Sequence, residues 1–366
     1  MASVNVKSNL GEIIMDKAVR ASLLFMAFVL GAWVLFWMRN ILAPFALAVF
    51  FWLIIDGFAK WLDSKFKFLP YMATLGLAFL VVIAGMVGIG MIIADTAFDI
   101  AAHAKEYEHR LGEVFNPIIE RFGDGSWEGL NERFGLSSRV EALLGGFARS
   151  VQGVMSSFVF IALYVVFLFA AQNSFGKKMD DLWPDPKERK QAAQVGDRIR
   201  ISIEKYLGIQ TLMSIIMTVL SFAVMKMFGL DNALFWALVI FILNYIPVVG
   251  SVMAGLLPAM FALMQFDSLV MVGVMAGLLF VVQFVISNTV QPKMMGDSMN
   301  LSALVVILSL VLWQAMWGGV GAFLSAPLTV ILMIVLAQFP TTRWIAVVLS
   351  ADGDPDMKEN APAPSL

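Results

Sequence analysis

The chain has no cysteine and only two histidines in 366 residues. Disulfides, thiol nucleophiles and cysteine-ligated metals are excluded together. His103 and His109, six positions apart in an acidic stretch, form no compact metal-binding motif and read as exposed helix residues. Charge is also scarce: 14% of residues are charged, against about 25% in soluble domains. The formal net charge of -2 gives no polyanion-binding signature, so nucleic acid is not an expected partner. Missing too are the phosphate-loop pattern G-x-x-x-x-G-K-[ST], the nucleophile elbow G-x-S-x-G, the zinc motif H-E-x-x-H and any paired-carboxylate constellation. The chain therefore reads as a non-enzyme without a cofactor.

What fills the sequence is apolar: 60% of residues are hydrophobic. A soluble fold of this size would have to expose many of them to water. Runs free of formal charge cover 40–55, 68–94, 150–176, 206–225, 232–266, 268–292 and 298–342. Most match or exceed the roughly 20 residues that cross about 30 Å of hydrocarbon as helix. Helix is the default there because every backbone group needs a partner. The expected fold is an all-α polytopic integral membrane protein of about eight spans, with a short or re-entrant hairpin and an extracytoplasmic helical insert.

Spans are predicted at 21–38, 41–55, 70–94, 151–171 and 209–225. The first is read as retained rather than as a cleaved signal. The second is short and contains Pro44, so it is expected to be tilted, kinked or partly inserted. The 35 charge-free residues of 232–266 are too few for two full crossings and a turn, which predicts two short legs meeting near Pro247–Gly250. A further span covers 268–286, and Trp317-Gly318-Gly319 divides 298–342 into two more. The organisation is then 1–94 with three membrane helices, an extracytoplasmic insert at 95–149, a membrane core at 150–350 containing a cytoplasmic segment 172–208, and a disordered cytoplasmic tail at 351–366.

Lysine and arginine density sets the orientation. Lys7, Lys17 and Arg20, then Lys60, Lys65 and Lys67, then the eight basic residues from Lys177 to Lys205 occupy alternate loops, which the positive-inside rule makes cytoplasmic. Asp95–Arg149, with ten acidic and six basic residues, goes to the opposite side. Both termini are then cytoplasmic.

Asp56, Asp95, Asp231 and Asp267 all fall at predicted span ends and read as solvated. An intramembrane charge would mark a proton or cation relay, and none is evident. Uncharged polar residues carry the signal instead. Asn244, Pro247, Gly250 and Ser251 combine a residue lacking an N–H with one lacking a Cβ, which either frees backbone groups inside the membrane or makes a plain interfacial turn. Gln283, Ser287 and Gln291 recur every four residues, so an α-helix would place them along one side, either lining a route or making interhelical hydrogen bonds. Lys293, beyond Pro292, is either an anion-attracting mouth or a topogenic anchor. Gly273 and Gly277 form a G-x-x-x-G pair read as helix packing, within or between subunits. Met294, Met295, Met299 and Met316 read as apolar packing.

Asn244-Tyr245-Ile246-Pro247-Val248-Val249-Gly250-Ser251, together with Asn288-Thr289-Val290-Gln291-Pro292-Lys293-Met294-Met295-Gly296, the stretch from Asn300 to Trp313, Trp317-Gly318 and Ser325-Ala326-Pro327-Leu328, resembles the AI-2E family of bacterial inner-membrane transporters, over nearly the whole chain. The resemblance implies a homo-oligomer, with a pentamer among the sizes it allows, and export of autoinducer-2 or sodium or lithium efflux in exchange for protons. It implies transport or gating roles for Asn244, Pro247, Gly250, Gln283, Asn288, Pro292, Lys293, Gly296, Trp317, Gly318 and Pro327. Ala303 departs from a proline common in the family, and Trp317-Gly318-Gly319 is an unusual form of its motif. The leading expectation is export of a small polar solute such as autoinducer-2; the alternatives are a monovalent cation/proton antiporter, with H+ or Na+ as coupling ion, and a non-transporting membrane scaffold. Lipids, the solute and further copies of the chain are the expected partners.

Overall fold

The computed structural model describes residues 26–68, 70–102, 158–172, 180–295 and 299–355, with isolated positions outside these stretches. The histidines, Gly296 and nearly all of the insert lie outside the described residues. In chain order the helices are α1 Met26–Trp37, α2 Arg39–Lys65, α3 Tyr71–Ala102, α4 Phe158–Gln172, α5 Pro186–Phe228, α6 Ala233–Leu243, α7 Val249–Gln265, α8 Leu269–Val285, a π-helical segment Ile286–Val290, α9 Gln291–Met295, α10 Ala303–Ala337 and α11 Arg343–Leu349. The described residues are helical throughout apart from turns and one isolated antiparallel bridge, Leu301 to Ser350. Five helical stretches are long and apolar enough to cross a membrane: Arg39–Lys65, Tyr71–Thr96, Pro186–Phe228, Leu269–Met295 and Ala303–Ala337. Large apolar side chains such as Phe167, Val270 and Phe280 face outward, as a surface solvated by lipid requires.

The start of the membrane part differs from expectation. The second span is not short: α2 runs 27 residues, about 40 Å, straight through Asp56 and Lys60. It is joined to α1 by Met38 alone, at φ -89° and ψ 13°. One residue in that region bends a helix but does not reverse it, since antiparallel helices are joined by loops of about 2–5 residues. α1 and α2 form a bent rod, not two antiparallel spans.

Two helical hairpins dominate the other half. α6, with 11 residues, and α7, with 17, are the two short legs, about 16 and 25 Å long; the first is too short to cross the hydrocarbon alone. Within α10, Gly318 has φ 61° and ψ -140°, a left-handed conformation in which a Cβ is strained. The chain folds back there, because Trp313 Nε1 donates to Thr329 Oγ1 at 3.1 Å, whereas sixteen residues of straight helix span about 24 Å. Each hairpin brings a glycine against a carbonyl of its other arm. A Cβ on Gly250 would overlap the Leu243 carbonyl, and one on Gly321 the Trp313 carbonyl.

α5 is the central rod. Its 43 residues start at Asp185, whose carboxylate accepts from the Lys187 N–H at 2.8 Å, with Pro186 in the first turn. One apolar cluster joins Met213, Met217 and Met225 of α5 to α6, α7 and α8. A second joins Ile203, Tyr206 and Leu207 of α5 to α2, α4 and the second arm of α10, and Met295 and Met299 pack against it. Between the two sets α5 carries the uncharged polar pair Gln210 and Thr211.

Two other expectations change. Gly273 and Gly277 have nothing among the described residues within 4 Å of the position a Cβ would take, so no close helix contact is made at them there. The stretch 351–355 of the expected disordered tail is pinned. Asn300 donates through Nδ2 to Asp352 Oδ1 and to the Asp354 carbonyl, both at 2.8 Å, and its own carbonyl accepts from Ala351 N at 3.0 Å. The Asp354 N–H, and then the Asn300 amide, hold the Asp352 carboxyl below its usual range.

Candidate site: a polar junction between the two apolar clusters

The tip of the α6–α7 hairpin is a strained turn. Val248 has φ 62° and ψ -60°, and the Val249 N–H donates to the Pro247 carbonyl at 2.6 Å across it. This is the positive-φ form of the γ-turn, rare for any residue and more so for a β-branched one. Such strain persists only where the surroundings impose it, and it gathers at ligand clamps and switches. Ser251 ties the turn, donating from Oγ to the Val248 carbonyl at 2.8 Å.

Three helices meet this tip through uncharged groups. Gln210 of α5, 2% exposed, donates through Nε2 to the Asn244 carbonyl at 2.7 Å and accepts from Gln291 Nε2 at 2.9 Å. Asn244 Nδ2 donates to Ser214 Oγ at 2.9 Å. Thr211 and the Tyr245 hydroxyl share a hydrogen bond of 2.8 Å. Gln283, 5% exposed, donates to the Ser251 carbonyl at 3.3 Å, while its Oε1 is buried with no hydrogen-bond partner among the described residues. The tip and the 283–291 stretch are thereby joined, directly at Gln283 and through Gln210 at Gln291. Tyr245 also stacks on Phe323 of α10, centroids 4.8 Å apart, so both hairpins touch here.

Gln283, Ser287 and Gln291 do not share the simple α-helical face expected from their spacing, because Ile286–Val290 between them is π-helical. A π-turn inserts an extra residue and re-aims the side chains beyond it, which bears on how Gln291 comes to face Gln210. Asn288 does not point to the junction: its Nδ2 donates to the Phe284 carbonyl at 3.0 Å, within the irregular turn. Ser287 is half-buried in the π segment, and Pro292 and Lys293 are exposed beyond it on α9. Gly318 makes the corner of α10 and Pro327 is buried in its second arm. Trp317 is a tether, donating from Nε1 to the Leu35 carbonyl at 3.0 Å, next to the Met38 bend.

Sequence reasoning passed over three members: Gln210, Thr211 and Ser214. The signal was present, since Gln210, Ser214, Met217 and Ser221 follow one helical face and all four are buried. Asp56 was misread as solvated. It is 2% exposed and bonded to Lys60, Arg200 and Tyr71; Asp95, Asp231 and Asp267 are exposed as expected.

The arrangement can exchange neutral hydrogen bonds, through amides, hydroxyls and backbone carbonyls, without an ionised group at its centre. Similar chains are transport proteins. The AI-2 transport protein TqsA of Escherichia coli (strain K12) is 28% identical over 315 residues, covering 85% of this chain and 90% of TqsA. A chain of Haemophilus influenzae is 28% identical over 317 residues, with 85% and 90% covered. More distant is the sodium-lithium/proton antiporter of Halobacillus andaensis, 21% identical over 327 residues, with 82% and 90% covered. The family model for AI-2E family transporters matches residues 23–341, and with a polytopic helical fold built around a buried polar junction the chain belongs to the AI-2E family of membrane transporters.

Proposed function

We propose that the protein exports a small, neutral, polar solute, with autoinducer-2 as the concrete candidate, along a route through the junction of α5, the 244–251 tip and the 283–291 stretch. The observation that supports this reading is the buried, uncharged hydrogen-bond network centred on Gln210 and Asn244. A hydroxylated solute exchanges bonds with such groups without taking a charge out of water, which would cost far more. Gln283 Oε1 is an acceptor for a solute hydroxyl. No coupling ion is required at the junction itself. The name of the Escherichia coli relative supplies the candidate solute.

The second reading, monovalent cation/proton antiport, draws on the name of the Halobacillus relative and on Asp56, the one buried carboxylate among the described residues. That carboxylate already holds two cationic side chains, which leaves an alkali ion to compete with both.

In this reading the protein sits in a bacterial inner membrane as a homo-oligomer, with 172–208 and the C-terminus cytoplasmic; the N-terminus, expected there from its basic residues, falls on the opposite side once α1 and α2 make a single crossing. The absence of cysteine makes single introduced thiols clean probes. On intact spheroplasts a membrane-impermeant thiol reagent is expected to modify a cysteine replacing Glu128 and to spare one replacing Lys178 or Glu359. Lys7→Cys is expected to be modified as well, because a bent α1–α2 rod that crosses once, followed by α3, leaves the N-terminal stretch on the same side as Glu128. Ser287→Cys should react in open membrane fragments, with saturating solute slowing the reaction about tenfold. A Ser287→Cys thiol that stays unmodified from both faces would remove the hydrated route.

A further inference from the structure

Four charges and a phenol gather where α2, α3 and α5 meet, outside the polar junction. Asp56 Oδ2 lies 2.6 Å from Arg200 Nη2 and 2.8 Å from Lys60 Nζ, and Asp56 Oδ1 accepts from the Tyr71 hydroxyl at 3.1 Å. Glu204 Oε1 lies 2.7 Å from Arg200 Nε and 3.4 Å from Lys60 Nζ. The Arg200 guanidinium also sits 5.7 Å from the centre of the Trp52 ring. Asp56 is buried, while the side chains of Lys60 and Arg200 are 47% and 40% exposed.

As a permanent fastener this would be a poor choice, since apolar side chains of similar volume hold buried helices together as well or better. The wiring suits a contact that opens. Asp56 and Lys60 are four residues apart on α2, and Arg200 and Glu204 four apart on α5. Each helix therefore carries a complete ion pair of its own. Parting the two cross-helix bonds, Arg200 to Asp56 and Lys60 to Glu204, strands no charge: Asp56 keeps Lys60 and Tyr71, Arg200 keeps Glu204, and both cations already reach solvent.

We propose that this cluster is a releasable clasp between α2 and α5, closed in one state of the transport cycle and open in another. Arg200 and Gln210 stand on the same helix about 15 Å apart along its axis, so movement of α5 at the clasp is carried to the polar junction. The inference rests on the chain being a transporter, and not on which solute it carries or on the route passing Ser287.

Spin labels on cysteines replacing Lys65 and Lys205, both exposed, report the separation of the two helices by pulsed dipolar spectroscopy. Labelled chain is diluted into unlabelled chain so that only intrachain distances are read. The native clasp is expected to give a dominant short distance, and Arg200→Gln to raise the longer-distance fraction about threefold, in line with loss of the one cross-helix ion pair that Arg200 makes. Arg200→Lys should restore the short distance in part. If Arg200→Gln does not reach the membrane, Glu204→Gln, which touches only the partly exposed side of the cluster, is expected to move the distribution the same way. Distance distributions identical to the native one in whichever variant inserts would overturn the clasp. An unreactive Ser287→Cys would instead overturn the route and leave this result standing.

Discussion

Gly250→Ala is expected to abolish most transport and to lower the thermal stability of the purified protein. The added Cβ would occupy the place of the Leu243 carbonyl oxygen, and a backbone carbonyl at the end of a helix has no rotamer into which to retreat. The α6 and α7 legs must then separate at the tip, costing about 1–3 kcal/mol as overpacking does elsewhere. Displacement of the tip also moves the Asn244 and Ser251 carbonyls away from Gln210 and Gln283. Gly321→Ala makes the same clash against the Trp313 carbonyl in the other hairpin, which meets the junction only through the stacking of Phe323 on Tyr245 and supplies none of its hydrogen bonds. Detergent-solubilised melting curves should show comparable losses for both variants, with flux per folded molecule falling about tenfold or more only for Gly250→Ala. Equal flux losses would make the tip a structural corner rather than part of the route.

The second large effect is expected at a residue that no motif singled out. Gln210→Leu keeps bulk and helix tolerance but removes the donor to the Asn244 carbonyl and the acceptor for Gln291. The carbonyl of buried Asn244 and the half-buried Gln291 amide lose their partner, the first at about 1–3 kcal/mol and the second at less. Gln291→Leu removes one of the same bonds, so the two substitutions together should cost less than their sum, the signature of a shared interaction. Stability and flux measured on both single variants and the double variant decide this. Additive losses would mean that the 2.9 Å contact contributes nothing.

The general architecture was readable because membrane helices obey a strict rule, that long charge-free stretches fold as helix in hydrocarbon, and 268–286 and 298–342 correspond to the helical stretches Leu269–Met295 and Ala303–Ala337, long and apolar enough to cross. The α6–α7 hairpin was readable from its shortage of residues and from Pro247 and Gly250. Other features were hidden for identifiable reasons. Asp56 looked like a span end because the charge-free run stopped at Ile55, although Lys60 four residues later was a sign that the helix continues. Gln210 was obscured by the basic residues that precede it on the same helix, which drew attention to topology. The π-helical turn at 286–290 was not anticipated, although Pro292 just beyond it lacks the N–H that an α-helix would bond to the Asn288 carbonyl. The bend at Met38 is equally silent, as Arg39 and Asn40 resemble an ordinary loop. Trp317 was legible as important but not as a tether, because its partner is a main-chain carbonyl 282 positions away.

The most direct measurement is solute flux through the purified protein in liposomes, with autoinducer-2, Na+ and Li+ offered separately under imposed pH and voltage gradients. The comparison is between the native chain and Gln283→Leu, which deletes the donor to Ser251 and the free acceptor while keeping similar volume. The native protein is expected to move autoinducer-2 and neither alkali cation, and Gln283→Leu to insert normally while moving autoinducer-2 about tenfold more slowly, the equivalent of one buried hydrogen bond. Proton-driven Na+ or Li+ flux with no movement of autoinducer-2, undiminished in Gln283→Leu, would contradict the account.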